Sequence, residues 1–227
     1  MSETASEHGV LEEARASLEE GDVERARDAF RRALEQRPDD VTALVDLGYL
    51  CLAAGDAEEA LGYFRRALDH DHANVGALRA LIDVHRRQGR SEDALASASS
   101  LAEARPEDAL AAIDVAELAL ELGRLEDAET AFRRLREFDD DPEHEVPYAH
   151  HGLIEVEIRR ERWRRALDLA VDATRLDRLG RTTDVLAFVV AQVFGEGDRP
   201  APLRADVEQA LAASRAEHRR LHGEILG

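Results

Sequence analysis

The sequence predicts an all-α protein, an α-solenoid of helical hairpins that ends in a C-terminal pair of capping helices. Three observations carry this reading. A glycine-led pattern returns every 34 residues over four copies. Apolar residues within each copy fall at helical spacing. The composition is rich in alanine, with 44% hydrophobic but only 4% aromatic residues, which favours closely packed helices, because alanine forms helices well and strands poorly. Charged residues reach 35%, as suits a thin structure whose helices each keep one wet face.

The repeat is explicit. Gly21-Asp22 returns as Gly55-Asp56, Gly89-Arg90 and Gly123-Arg124. Five residues after each glycine stands alanine: Ala26, Ala60, Ala94, Ala128. Nine after it come Phe30, Phe64, Ala98 and Phe132, and twelve after it Ala33, Ala67, Leu101 and Leu135. Pro38 and Pro106 lie seventeen after their glycines, where the other copies carry His72 and Asp140. In the copy from Val41 to Asn74, Leu44, Leu47, Gly48 and Cys51 share one helical face. Gly48 and Ala60 are small where two helices of a hairpin approach closely. Gly55, Gly89 and Gly123 end first helices, where glycine readily takes a left-handed backbone. Pro38 and Pro106 are expected to stop second helices and to open the next ones. No single hairpin buries its own apolar face, so stacked neighbours must supply the core.

The period and these markers resemble the tetratricopeptide family, whose first-helix pattern is matched by Leu44, Leu47 and Gly48 and whose second-helix pattern by Ala60, Phe64 and Ala67. The resemblance implies right-handed stacking of hairpins. Five repeats are expected, at about 7–40, 41–74, 75–108, 109–142 and 147–179, behind a disordered stretch at 1–6. The first copy departs from the pattern at Glu13 and Ser17, so Leu11, Ala14 and Leu18 are its expected apolar residues. An acidic loop around Asp139–Glu145 separates the fourth copy from the fifth, where Ala166, Ala170 and Ala173 keep the small positions and Glu161 replaces the turn glycine. Residues 180–227 read as capping helices: an apolar segment from Val185 to Phe194, a turn, and an amphipathic helix that includes Leu203, Val207, Leu211, Leu221 and Ile225.

Composition narrows the function classes. The net charge is −19, and all 30 basic residues are arginine. Such a field disfavours nucleic acid, which binds through cations that displace counterions, and anionic membrane surfaces. The single cysteine, Cys51, rules out an intramolecular disulfide. The start carries no basic or apolar signal region, and the longest apolar run is well short of the roughly 20 residues that span a bilayer; cytoplasmic location is the expectation. His218 and His222 lie four apart, and His144, His150 and His151 cluster, but the sequence gives no ligand set of known geometry in either place, and solvated histidines are the expectation. No phosphate loop, nucleophile elbow or paired-cysteine motif occurs. The run Arg159–Arg165 with Trp163 inside it spans a turn and reads as a solvated hairpin corner. No catalysis, metal or cofactor is expected.

The resemblance implies a binding surface on the first helices, a concave groove that holds a peptide or partner helix. Its expected residues are Leu11, Arg15 and Leu18; Val45, Tyr49 and Leu52; Arg79, Asp83, Arg86 and Arg87; Ile113, Glu117 and Leu120; and His151, Glu155 and Ile158. The carboxylate clamp of the family's chaperone-binding subset is missing, since Leu11, Arg15, Asp46, Gly76 and Ala80 occupy its positions. The expected function is a non-catalytic protein–protein interaction module or assembly adaptor whose partner is another protein or peptide, with self-association left open. The alternative is a regulatory domain for a separately encoded enzyme or transcription factor.

Overall fold

Asp40, Asn74 and Asp108 recur at the 34-residue period, and each side chain accepts a hydrogen bond from a backbone N–H three residues on, at Ala43, Ala77 and Ala111 (3.0, 3.0 and 3.2 Å). These are N-caps, which satisfy donors that a helix start would otherwise leave unpaired. The computed structural model describes residues 3–137 and 146–176. Among the described residues the chain forms ten helices and no strand: α1 (Glu3–Glu19), α2 (Val23–Gln36), α3 (Val41–Ala54), α4 (Ala57–His70), α5 (Val75–Arg87), α6 (Ser91–Ala104), α7 (Ala109–Glu121), α8 (Leu125–Glu137), α9 (Val146–Arg159) and α10 (Trp163–Leu176). The fold class is all-α, built from helical hairpins. α1 takes in part of the stretch expected to be disordered. Pro38 and Pro106 follow the second helices as expected but do not open the next ones; the caps at Asp40 and Asp108 do that two residues later. The acidic loop core and the capping segment, with His144, His218 and His222, lie outside the described residues.

Five hairpin turns close in the same way. The N–H of Asp22, Asp56, Arg90, Arg124 and Arg162 donates to the carbonyl of Ser17, Cys51, His85, Ala119 and Glu157, each at 2.8 Å. The residue before each donor bonds to the carbonyl three positions back, so every first helix ends in the same two-bond cap. The cap demands a left-handed residue, which Gly21, Gly55, Gly89 and Gly123 provide with φ between 69° and 90°. In the fifth turn Glu161 takes φ 59° instead. A side chain there crowds its own carbonyl. Glu161→Gly is therefore expected to stabilise the chain by about 1 kcal/mol in urea unfolding; an unchanged midpoint would mean that the glutamate contributes something that offsets its backbone.

The chain divides into two compact units, Met1–Pro106 and Glu107–Gly227. In the first, each of α1 to α6 packs on its sequence neighbours, and α3 also touches α5. In the second, α7 to α10 pack in the same sequential way. The repeat markers make the core: Ala26, Ala60, Ala94 and Ala128 are fully buried, as are Phe30 and Phe64. Each large apolar side chain so buried contributes about 1.5–3 kcal/mol. Gly48 leaves room for this packing, since a Cβ there would lie 2.6 Å from Phe64 Cε1. In the second unit Gly152 does the same against Phe132, at 2.2 Å. Among the described side chains of α1 the buried ones are Ala14 and Ser17, whereas Leu18 is 37% exposed; the Ser17 hydroxyl donates to the Glu13 carbonyl (2.9 Å), which makes a buried serine tolerable.

Candidate functional site

Along α3 two sets of residues separate. Leu44, Leu47, Gly48 and Cys51 are buried, while Val45 and Leu52 are half-buried and Tyr49 is 44% exposed. The turn caps show that this division repeats in one register, because Leu18, Leu52, Arg86, Leu120 and Ile158 each supply the carbonyl that receives the left-handed residue's N–H. Stepping back three and seven residues from each of them reaches the other expected surface positions except Arg87, which follows Arg86. Every one of the sixteen residues proposed for the surface is exposed or half-buried; none is in the core.

In the first unit the stripes of α1, α3 and α5 present an apolar centre between arginines. The Tyr49 hydroxyl donates to the Gly76 carbonyl in the first turn of α5 (2.9 Å), and its ring meets Phe64 edge-on, with centroids 5.3 Å apart. The exposed tyrosine is thus held from both sides. Burial pushes its phenol above the usual value, Arg79 pulls it back, and Asp46 and Asp83 add to the rise. Asp46 is half-buried beside it; burial raises its carboxyl, Arg15 opposes the rise, and Asp40 adds to it. Arg87 pairs with Asp83 one turn earlier (2.9 Å), so two of the four α5 residues answer each other.

In the second unit the stripes of α7 and α9 are tied by longer side chains. The Tyr148 hydroxyl donates to Glu117 (2.7 Å), and Arg159 donates both to the Leu120 carbonyl (2.7 Å) and to Glu155 (2.7 Å). Leu110, 57% exposed, extends the α7 stripe by one turn, and Tyr148 is 42% exposed. Sequence reasoning missed both. Leu110 was visible as the residue three before Ile113, whereas Tyr148 follows the acidic loop that breaks the period.

A family model for the tetratricopeptide repeat matches residues 11–74 and 79–142. The chain belongs to the tetratricopeptide repeat family. No curated protein matches it, but solved structures share the fold. A tetratricopeptide repeat protein from Parabacteroides merdae ATCC 43184 is 20% identical with a TM-score of 0.58, covering 95% of this chain and 89% of the other. MamA protein is 14% identical, with 88% and 100% covered and a TM-score of 0.59. YrrB, described as a TPR protein with an unusual peptide-binding site, is 21% identical, with 79% and 89% covered and a TM-score of 0.58. The tetratricopeptide fold supports a protein-interaction or scaffold role.

Several chemical candidates find structural employment in this tetratricopeptide chain. Cys51 is fully buried, and burial holds its thiol above the usual value, which disfavours the reactive thiolate. Arg160 is engaged by Glu129 and Glu157, and Arg162 by Glu157, so the basic run is largely answered by acids. No group of three metal-ligating side chains occurs among the described residues. No described helix is long and apolar enough to cross a membrane. A residue that sequence reasoning overlooked is Arg27, only 8% exposed, which donates to Asp56 (3.0 Å) and Glu59 (3.4 Å) and approaches Cys51 (3.9 Å). It stands where other copies carry Leu61 and Leu95, and a charge at an apolar register position was the available signal.

Proposed function

We propose that this protein is a non-catalytic adaptor that holds a peptide or partner helix against the first-helix face of its Met1–Pro106 unit. The carrying observation is the composition of that face. Val45, Tyr49 and Leu52 form a partly exposed apolar centre in a chain of charge −19, and Arg15, Arg79, Arg86 and Arg87 stand on the flanking helices. An apolar centre with a polar rim is the anatomy of a specific interface, and a tyrosine anchored at both ring and hydroxyl offers contact area at little entropic cost. Charge complementarity favours a segment carrying hydrophobic side chains next to acidic ones. The corresponding residues of the second unit, Ile113, Glu117, Leu120, His151, Glu155 and Ile158, are more acidic and suit a different part of a partner. Location in the cytoplasm and regulation of a separately encoded enzyme fit the same reading.

Photo-crosslinking tests it. A photoreactive phenylalanine analogue at Tyr49 is expected to crosslink the partner, and the same analogue at Ser100 on α6 is not. Crosslinking from Ser100 alone would place the partner on the second helices and overturn the assignment.

A further inference from the structure

We propose that His85 is an acid-sensitive latch: its imidazole lets α5 pack against α4 and α6 while it is neutral, and protonation loosens that junction. His85 occupies the position that is Cys51 in the preceding hairpin, identified by the same 2.8 Å cap bond from its carbonyl. It is 4% exposed, and neither ring nitrogen has a hydrogen-bond partner. The charged groups that face it come from three places. Arg90 lies in the turn, Arg65 on α4, and Asp93 in the first turn of α6. Nε and Nη2 of Arg90 are buried and without hydrogen-bond partners as well, and its pairs with Glu58 of α4 and Asp93 stretch to 3.9 Å. α3 meets α5 at the opposite end of the helix, at Gly76, through Val45 and Tyr49.

An imidazolium has two donors and a full charge. Here it would find two arginines against Asp93, whose carboxylate and backbone both favour the charged ring. Burial, and then Arg90 and Arg65, hold the ring's pKa below its usual value, although Asp93 opposes them. The folded pKa therefore lies below the unfolded one, near 6.5. Stability is complete above about pH 6.5 and falls as the pH drops toward the folded pKa, because the unfolded chain then binds the extra proton. The opening constant can rise at most about tenfold per pH unit for one proton. α5 also carries Arg79 and Arg86, so on the proposed reading of the first-helix face an acid shift would weaken partner binding too.

The test needs no partner, so its failure is separable from failure of that reading. Urea unfolding of the full chain is followed at pH 7.5 and 5.5 for the wild type, His85→Phe and His85→Gln. The wild-type midpoint is expected to fall more between the two pH values than that of His85→Phe, with His85→Gln also less pH-dependent than wild type. Equal falls in all three would overturn the proposal. If the variants do not fold, NMR titration of the His85 ring in the wild type decides. A midpoint below about 6.5 supports the latch, and one at or above it sinks the idea.

Discussion

Reversing Arg79 and Arg86 together to glutamate is expected to reduce partner affinity at least about 100-fold, equivalent to roughly 3 kcal/mol. The two residues lie seven apart on α5, and both are exposed. The change removes two attractive charges and adds two that repel an acidic segment, so the effect exceeds that of alanine. Stability should move by no more than about 1 kcal/mol, since exposed charges contribute little to folding. A matched reversal of Arg136 on α8 and Arg165 on α10 supplies the same change in net charge on second helices. Arg66 would be a poorer control, because it donates to the Pro38 carbonyl (3.1 Å), and Arg65 faces His85. Titration calorimetry with the captured partner separates the outcomes. Equal loss in both reversals would move the binding face to the second helices or reduce it to a net-charge effect.

Phe64→Ala is expected to cost about 3–5 kcal/mol, a large share of the roughly 5–15 kcal/mol that holds a typical domain. The ring is fully buried, fills the space that Gly48 leaves open, and backs the ring of Tyr49. Losing it leaves a cavity between α3 and α4 that a glycine cannot fill. Urea unfolding measures the loss, and Phe64→Leu should cost clearly less because it keeps most of the volume. A destabilisation under about 1 kcal/mol would show that the two helices collapse onto each other. Because the ring also supports Tyr49, residual folded Phe64→Ala protein should bind the partner more weakly than its folded fraction alone accounts for.

Most of this fold was legible because its determinants are local. Gly55 with its left-handed backbone, Ala60 at a close approach and Phe64 in the core all fall at fixed offsets, and a sequence displays offsets directly. The N-caps Asp40, Asn74 and Asp108 were equally local but were passed over, the first and last in favour of Pro38 and Pro106, which follow one helix without starting the next. What stayed hidden depends on contacts distant in sequence. Nothing around Arg27 announces that Asp56 and Glu59 will receive it, 29 and 32 residues on. His85 reads as one of nine histidines until the cap bond places it at a core position. The surface positions emerged from the repeat register, yet Tyr148 escaped because the acidic loop shifts that register. In α1 the choice between Ser17 and Leu18 went to the serine, since its own hydroxyl could satisfy itself within the helix.

The same register position that holds Arg27 in α2 holds Glu129 in α8, each six residues beyond its turn glycine. Arg27 is presented to Cys51, Asp56 and Glu59; Glu129 is presented to Arg160. Hairpins this alike compete for one another's docking faces while a chain folds, and exchange between neighbours or between copies is a characteristic hazard of repeat proteins. A swap that brought α8 onto α3 and α4 would set Glu129 against Asp56 and Glu59, acid against acid. A swap of α2 onto α9 would set Arg27 against Arg160. Opposite charges at one repeated position would therefore penalise such swaps, so that electrostatics distinguishes the first hairpin from the fourth where shape alone would be ambiguous.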